Sequence, residues 1–214
     1  MATRIILADD HPIVSSGTRM LLERDSSLQV VAVAASPDEL LGALDAHECD
    51  LVITDYIMPA GNTADGLGLL GLMQRRWPKL PVVVMTSLSN PAILRSIQTS
   101  GVRALINKAD ALGELPAALR AVSRGKVYLS KSVRELLDDG LVAAAAPTVT
   151  KVLSPKEAEV LRLFASGFTV TDIAKQLNRS VKTISGQKSE AMSKLGLRSD
   201  IDVYAYAREN GLIA

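Results

Sequence analysis

Over the first 125 residues the apolar positions alternate between short unbroken runs and stretches in which they recur every three or four residues. Ile5-Ile6-Leu7-Ala8, a valine-rich run over 29–34, Leu51-Val52-Ile53-Thr54, a run over 81–86 and Ala104-Leu105-Ile106 predict five buried strands. Residues 12–24, 37–46, 66–76, 90–99 and 111–124 have helical spacing and predict five helices. Local chemistry agrees: Pro12 suits a first helical turn, Ser36 an N-cap and Gly125 a helix stop. Five strand-then-helix units in succession predict an α/β domain, a doubly wound five-stranded parallel (βα)5 sheet with helices on both faces. Ligand chemistry in such sheets gathers at the carboxyl ends of the strands, where strand order reverses.

The pattern changes after Gly125. Residues 126–150 read as a linker with a short helix over 132–137. The alanine run that follows Leu141 reads as linker too, with a helical continuation as the alternative, because alanine is the best helix former. From Leu153 onward four helices are predicted, over 155–166, 171–177, 181–195 and 199–209, with short turns and no strand signal. The expected organisation is therefore 1–125, a linker over 126–150, and an all-α helix-turn-helix domain over 151–214.

Composition narrows the class. Hydrophobic residues are 48% and charged residues 22%, a globular balance. The apolar runs fall short of a membrane span, and the N-terminal pattern is not that of a secretory leader. Cys49 is the single cysteine, so no intrachain disulfide and no cysteine metal cluster can form. These features lead to an expectation of a cytoplasmic protein with no membrane partner. Residues 1–150 hold 14 Lys/Arg against 16 Asp/Glu, and residues 151–214 hold 10 against 7. The first part thus carries a balance of −2 and the second of +3, the direction expected of an acidic site followed by a polyanion-binding surface.

Chemistry-bearing residues fall at strand ends: Asp9 and Asp10 after the first strand, Asp55 after the third, Thr86 and Ser87 after the fourth, Lys108 after the fifth. Any one alone serves equally well as a cap or turn residue, and His11 and His47 read as structural and solvated residues. Together, in strand order, they converge on one face. Three carboxylates in one place repel each other and favour a divalent cation, with hard oxygen ligands suiting Mg2+. A carboxylate beside that ion can attack a phosphoryl group, Lys108 can pair with the phosphate, and Thr86 can donate a hydrogen bond to it.

The strings Ala8-Asp9-Asp10-His11-Pro12, Thr54-Asp55-Tyr56-Ile57-Met58-Pro59, Met85-Thr86-Ser87 and Asn107-Lys108 resemble the receiver domain of two-component response regulators. The resemblance implies that Asp55 is the phospho-acceptor, served by a histidine kinase or a phosphotransfer protein. It implies that Asp9, Asp10, Asp55 and the main-chain carbonyl of Ile57 bind Mg2+, and that Thr86 and Lys108 respond to the phosphoryl group. Two departures stand out. Ala60-Gly61-Asn62-Thr63-Ala64 lengthens the loop between Pro59 and Asp65, and Leu105 occupies the usual aromatic switch position, where no hydroxyl-bearing ring can swing.

At the other end, Ser154, Pro155 and Glu157 have the spacing of a capping box, Thr169 or Thr171 caps the next helix, and Ser180 caps the one from Val181. Ile184, Ala191, Met192 and Leu195 supply an apolar face. Lysines, small hydroxyls and a glycine elsewhere around that helix suit close approach to a DNA major groove. Residues 153–197 resemble the helix-turn-helix domain of the LuxR/NarL/FixJ class. The resemblance implies that 181–195 is the recognition helix, with Lys182, Thr183, Ser185, Gly186, Lys188 and Ser189 as DNA contacts and the last helix as a dimer contact. Ser185 and Gln187 replace the lysine and histidine common in that class, so base preference should differ.

The expected function is a phosphorylation-dependent, DNA-binding transcription regulator of a two-component phosphorelay, and not an enzyme. Expected partners are double-stranded DNA, the phosphodonor protein, a second copy of the chain or another regulator, and RNA polymerase. An Asp-nucleophile phosphatase would place its nucleophile after the first strand in an Asp-x-Asp arrangement, unlike Asp55. An NTPase would need a phosphate-binding glycine loop that the chain lacks. A regulator that binds DNA without phosphorylation is the third reading: the intact acidic site argues against it, and Leu105 keeps it open.

Overall fold

The computed structural model describes residues 2–58, 63, 65–145 and 153–213, with only the helical backbone described for 139–145. These residues fall into two compact units, Met1–Thr86 with Ser100–Lys131, and Ser87–Thr99 with Ser132–Ala214.

The first unit is built on a parallel sheet of β1 (Thr3–Ala8), β2 (Leu28–Ala34), β3 (Leu51–Asp55), β4 (Val82–Thr86), β5 (Ala104–Asn107) and β6 (Tyr128–Leu129), in the order β2-β1-β3-β4-β5-β6. Strand order reverses between β1 and β3, which pair from Ile5↔Leu51 to Ala8↔Thr54. Alternation along the strands feeds two cores. Ile5, Leu7, Ile53, Met85 and Ile106 pack with α1 (Pro12–Leu22) and α5 (Ala111–Ser123) on one face. Ile6, Ala8 and Val52 pack with α2 (Pro37–Ala46) and α3 (Gly66–Arg76) on the other. Ser36 caps α2 by accepting from the Glu39 N–H, as its position foretells.

The α/β doubly wound reading stands, but the sheet has six strands where the pattern predicts five. Gly125, at φ +72°, turns the chain back after α5, and Tyr128 and Ser130 donate from their N–H groups to the Arg103 and Leu105 carbonyls. A two-residue strand leaves no alternation to read, and its effect is to close the β5 edge. Residues 126–150 are therefore not a plain linker: they hold β6 and α6 (Lys131–Ala145), so the alanine run continues a helix as far as it is described. Residues 146–150 lie outside the described residues. Glu114 of α5 accepts from the Tyr128 hydroxyl at 2.8 Å and from the Lys131 N–H at 3.0 Å, which fixes the start of α6.

The second unit contains α4 (Pro91–Thr99), most of α6, and the four helices α7 (Pro155–Ala165), α8 (Val170–Gln176), α9 (Val181–Leu195) and α10 (Asp200–Glu209). Each of these last four begins at a side-chain cap: Ser154, Thr169, Ser180 and Ser199. Three are reciprocal capping boxes, completed by Glu157, Asp172 and Asp202. Val160, Leu163, Ile173, Ala174 and Ile184 form the core that sets α7, α8 and α9 together. Gly196, in the left-handed conformation at φ +71°, ends α9.

Ile53 is fully buried at the centre of the sheet. Ile53→Ala should destabilise the first unit by about 3 kcal/mol. Urea unfolding followed by fluorescence of Trp77, the single tryptophan, would measure it.

Candidate functional site

The strand ends deliver their residues to one place. Asp9 follows β1 and is fixed when its N–H donates to the Ala34 carbonyl; its own Oδ1 accepts from the His11 N–H at 2.9 Å. Asp55 ends β3 in register with Met85 of β4, and Thr86 ends β4 in register with Asn107 of β5, the residue before Lys108. A 3-10 turn, Lys108–Asp110, starts there and is capped by the Asn107 side chain, which aims Lys108 back over the sheet. Its Nζ lies 2.6 Å from Asp55 Oδ2 and 2.8 Å from Asp9 Oδ2.

Ligand atoms of Asp9, Asp10, His11 and Asp55 all lie within 4.8 Å of one another. His11 Nδ1 stands 2.8 Å from Asp10 Oδ1 and 3.3 Å from Asp9 Oδ1. His11 thus contacts the two aspartates directly before it in the sequence, and its Nδ1 also lies 4.0 Å from Asp55 Oδ2. Burial pushes the Asp55 carboxyl up to about 6, against the pull of Lys108 and with a further push from Asp9. Burial opposes the charge on Lys108 most strongly, but Asp55 and Asp9 together raise it above its ordinary range. The Ile57 N–H donates to Asp55 Oδ1 at 3.3 Å, which holds its peptide beside the carboxylate.

The donor set fits a hard divalent cation. Three carboxylates face one ammonium. Asp9 Oδ2 and Asp10 Oδ1 are buried, each with one ion-pair contact at 2.8 Å, to Lys108 Nζ and to His11 Nδ1. The arrangement is an acidic pocket compatible with Mg2+.

The loop beside the site is closed at its base. Asp65, the buried N-cap residue of α3, accepts from the Met58 N–H at 3.3 Å, and the Gly66 N–H donates to the Tyr56 carbonyl. Pro59–Asn62 and Ala64 lie outside the described residues, so the path of the longer loop does too; Thr63 bonds Asp38. Leu105 is fully buried in β5, between Val84 and Leu129.

In the second unit, Lys182, Thr183, Ser185, Gly186 and Ser189 are exposed along α9. Lys188 is not: its side chain is turned against Asp200 and Phe164. Ile184 and Ala191 are buried as expected, while Met192 and Leu195 are only half-buried.

Two families match the chain: the response regulator receiver domain over residues 5–120, and the bacterial regulatory proteins of the luxR family over residues 151–207. The chain belongs to the response-regulator family. This response regulator is 43% identical over 202 residues to the transcriptional regulatory protein RcsB of Escherichia coli K12, covering 94% of this chain and 92% of that one. It is 30% identical over 217 residues to the oxygen regulatory protein NreC of Staphylococcus epidermidis, covering 98% and 99%. Among solved structures it is similar to RcsB from Salmonella enterica serovar Typhimurium bound to the promoter rprA in the presence of the phosphomimetic BeF3−. The TM-score is 0.81 at 40% identity, over 96% of this chain and 98% of that one. An RcsB–DNA complex structure matches with TM-score 0.78, also at 40% identity, over 96% and 98%. The chain is thus an RcsB-like regulator with a receiver and a LuxR-type DNA-binding domain. No helix among the described residues is long and apolar enough to cross a membrane.

Like-charge repulsion in the pocket yields a prediction. In EDTA, Asp10→Asn should raise stability by on the order of 1 kcal/mol, because it removes one of three clustered negative charges. The same variant should gain less than the parent from added Mg2+ when Trp77 fluorescence is followed through urea unfolding. A parent midpoint indifferent to Mg2+ would count against metal binding.

Proposed function

We propose that this response regulator accepts a phosphoryl group on Asp55 and thereby controls binding of double-stranded DNA by α9. The single observation that carries the reading is the convergence of Asp9, Asp10 and Asp55 with the Lys108 ammonium, 2.6 Å from Asp55 Oδ2. The proposed division of labour is a receiver over 1–125, a connecting span over 126–150 and a DNA-binding domain over 151–214.

Asp9, Asp10, Asp55 and the Ile57 carbonyl would hold Mg2+, which supplies charge neutralisation to the oxygens of an incoming phosphoryl group. The Asp55 carboxylate attacks phosphorus; an O–P bond forms, and the P–N bond of a phosphohistidine or the P–O bond of an acyl phosphate breaks. Lys108 transfers its pairing from the carboxylates to the phosphate, and Thr86 is placed to donate a hydrogen bond to it. The added charge biases the receiver between two states. The phosphodonor is a histidine kinase or phosphotransfer protein. Dimers of this chain, or pairs with another regulator, would bind two half-sites and meet RNA polymerase in the cytoplasm. On α9, Lys182, Thr183, Ser185, Gly186 and Ser189 are the proposed DNA contacts. RcsB from Salmonella enterica serovar Typhimurium, 40% identical, is bound to the promoter rprA in its solved structure, which supports this reading.

With acetyl phosphate and MgCl2, the full chain should give a retarded band on phosphate-affinity gels. Asp55→Asn should abolish it, and a variant labelled at the parent rate would refute the assignment. Phosphorylation should also tighten binding to a labelled duplex selected by the chain from a random-sequence pool. Affinity unchanged by acetyl phosphate would favour the second reading, DNA binding without phosphorylation, for which the buried Leu105 in place of a mobile ring is the specific observation.

A further inference from the structure

Lys188 lies on the inner side of α9. It comes four residues after Ile184 and three before Ala191, both buried, so the three share one face. Its side chain is only 15% exposed. The ammonium is committed twice over: Nζ is 2.7 Å from Asp200 Oδ1 and 3.4 Å from the centroid of the Phe164 ring. Asp200 opens α10, and Phe164 lies on α7. The Phe164 ring in turn stands 5.9 Å from that of Tyr204 on α10, inclined by 31°. One side chain of α9 therefore touches both α7 and α10, and the ring contact joins those two to each other.

We propose that Lys188 is a positioning residue that sets how α9 is presented to DNA and couples it to α10, and that it does not contact the DNA phosphates. The inference rests on the DNA-binding reading and deepens it. A lysine that neutralises a phosphate does so as an accessible point charge, and freeing Lys188 for that task would forfeit its carboxylate and its aromatic ring together. A lysine suits the position because its aliphatic stem covers apolar surface while its head reaches Asp200 at the rim. The bracket leaves Lys182, Ser185 and Ser189 on the exposed side. It also ties α9 to the helix start beside Ile201, which is 78% exposed.

The test uses the full chain and the selected duplex, with dissociation constants measured against KCl concentration. A lost phosphate contact lowers the slope of log K against log salt by about 0.9. Lys182→Met should show that drop. Lys188→Met should weaken binding about tenfold at every salt concentration with the slope unchanged. Asp200→Asn should weaken it in the same sense, whereas removing an acid from beside a DNA-contacting lysine would tighten it. Lys188→Arg, which keeps charge and ring contact, should restore most of the affinity. A slope reduced by Lys188→Met, or tighter binding by Asp200→Asn, overturns the proposal. A readout without DNA separates it from the parent reading. In the 13C-lysine-labelled chain the Lys188 ε-methylene signal should lie upfield of the other lysines, and Phe164→Leu should return it. A chain that selects no duplex but shows that shift retires the DNA reading and keeps the bracket; an unshifted signal retires the bracket.

Discussion

Everything at the acidic site depends on a repulsion that the fold enforces. Three carboxylates would separate if the chain allowed it, since two unit charges about 4 Å apart interact by about 4 kcal/mol at an effective dielectric constant of 20. The register of β1 with β3 and of β3 with β4 does not allow it, because Asp9 follows and Asp55 ends a strand whose apolar residues are locked into two cores. Lys108 offsets part of the repulsion, while burial, with a smaller push from Asp9, holds the Asp55 carboxyl up at about 6. A site of this kind is poised: whatever brings positive charge is welcomed, and a phosphoryl group gives the ammonium a new partner.

Much of this was legible in the chain because strand periodicity and strand-end chemistry reinforce each other. Five apolar runs and the residues directly after them lead to Asp9, Asp10, Asp55, Thr86 and Lys108 without any structure, since a parallel sheet puts all strand ends on one face. The caps were legible for the same reason: Ser36, Ser154 and Ser180 act within three residues of themselves. What stayed hidden depends on long-range pairing. β6 is two residues long and exists only because β5 offers an edge. Asp65 stands at the N-cap position of α3, yet its carboxylate makes no cap bond there and instead reaches back seven residues to the Met58 N–H.

Lys188 shows a different limit. As a residue type it belongs with DNA contacts, and composition alone groups it with Lys182. Phase around the helix separates them, because Lys188 repeats the positions of Ile184 and Ala191 while Lys182 does not. The pattern was present in the sequence, but a charged residue inside an apolar stripe becomes intelligible only when its partners, Phe164 and Asp200, are seen to be waiting for it.

Leu105 bears on how the site connects to the rest of the chain. A fully buried leucine cannot act as a swinging ring, but its strand is not isolated. Its carbonyl accepts from the Ser130 N–H, and the Asn107 N–H donates to the Ser130 hydroxyl at 3.1 Å. Glu114, one turn into α5, holds Tyr128 and the Lys131 N–H. The residue before Lys108 is thus hydrogen-bonded to the residue before α6. Breaking that bond would leave polar groups around the fully buried Ser130 unpaired. An unpaired buried group costs about 1–3 kcal/mol. Asn107 and Ser130 are thus held together by main chain and one small hydroxyl, with no aromatic side chain between them.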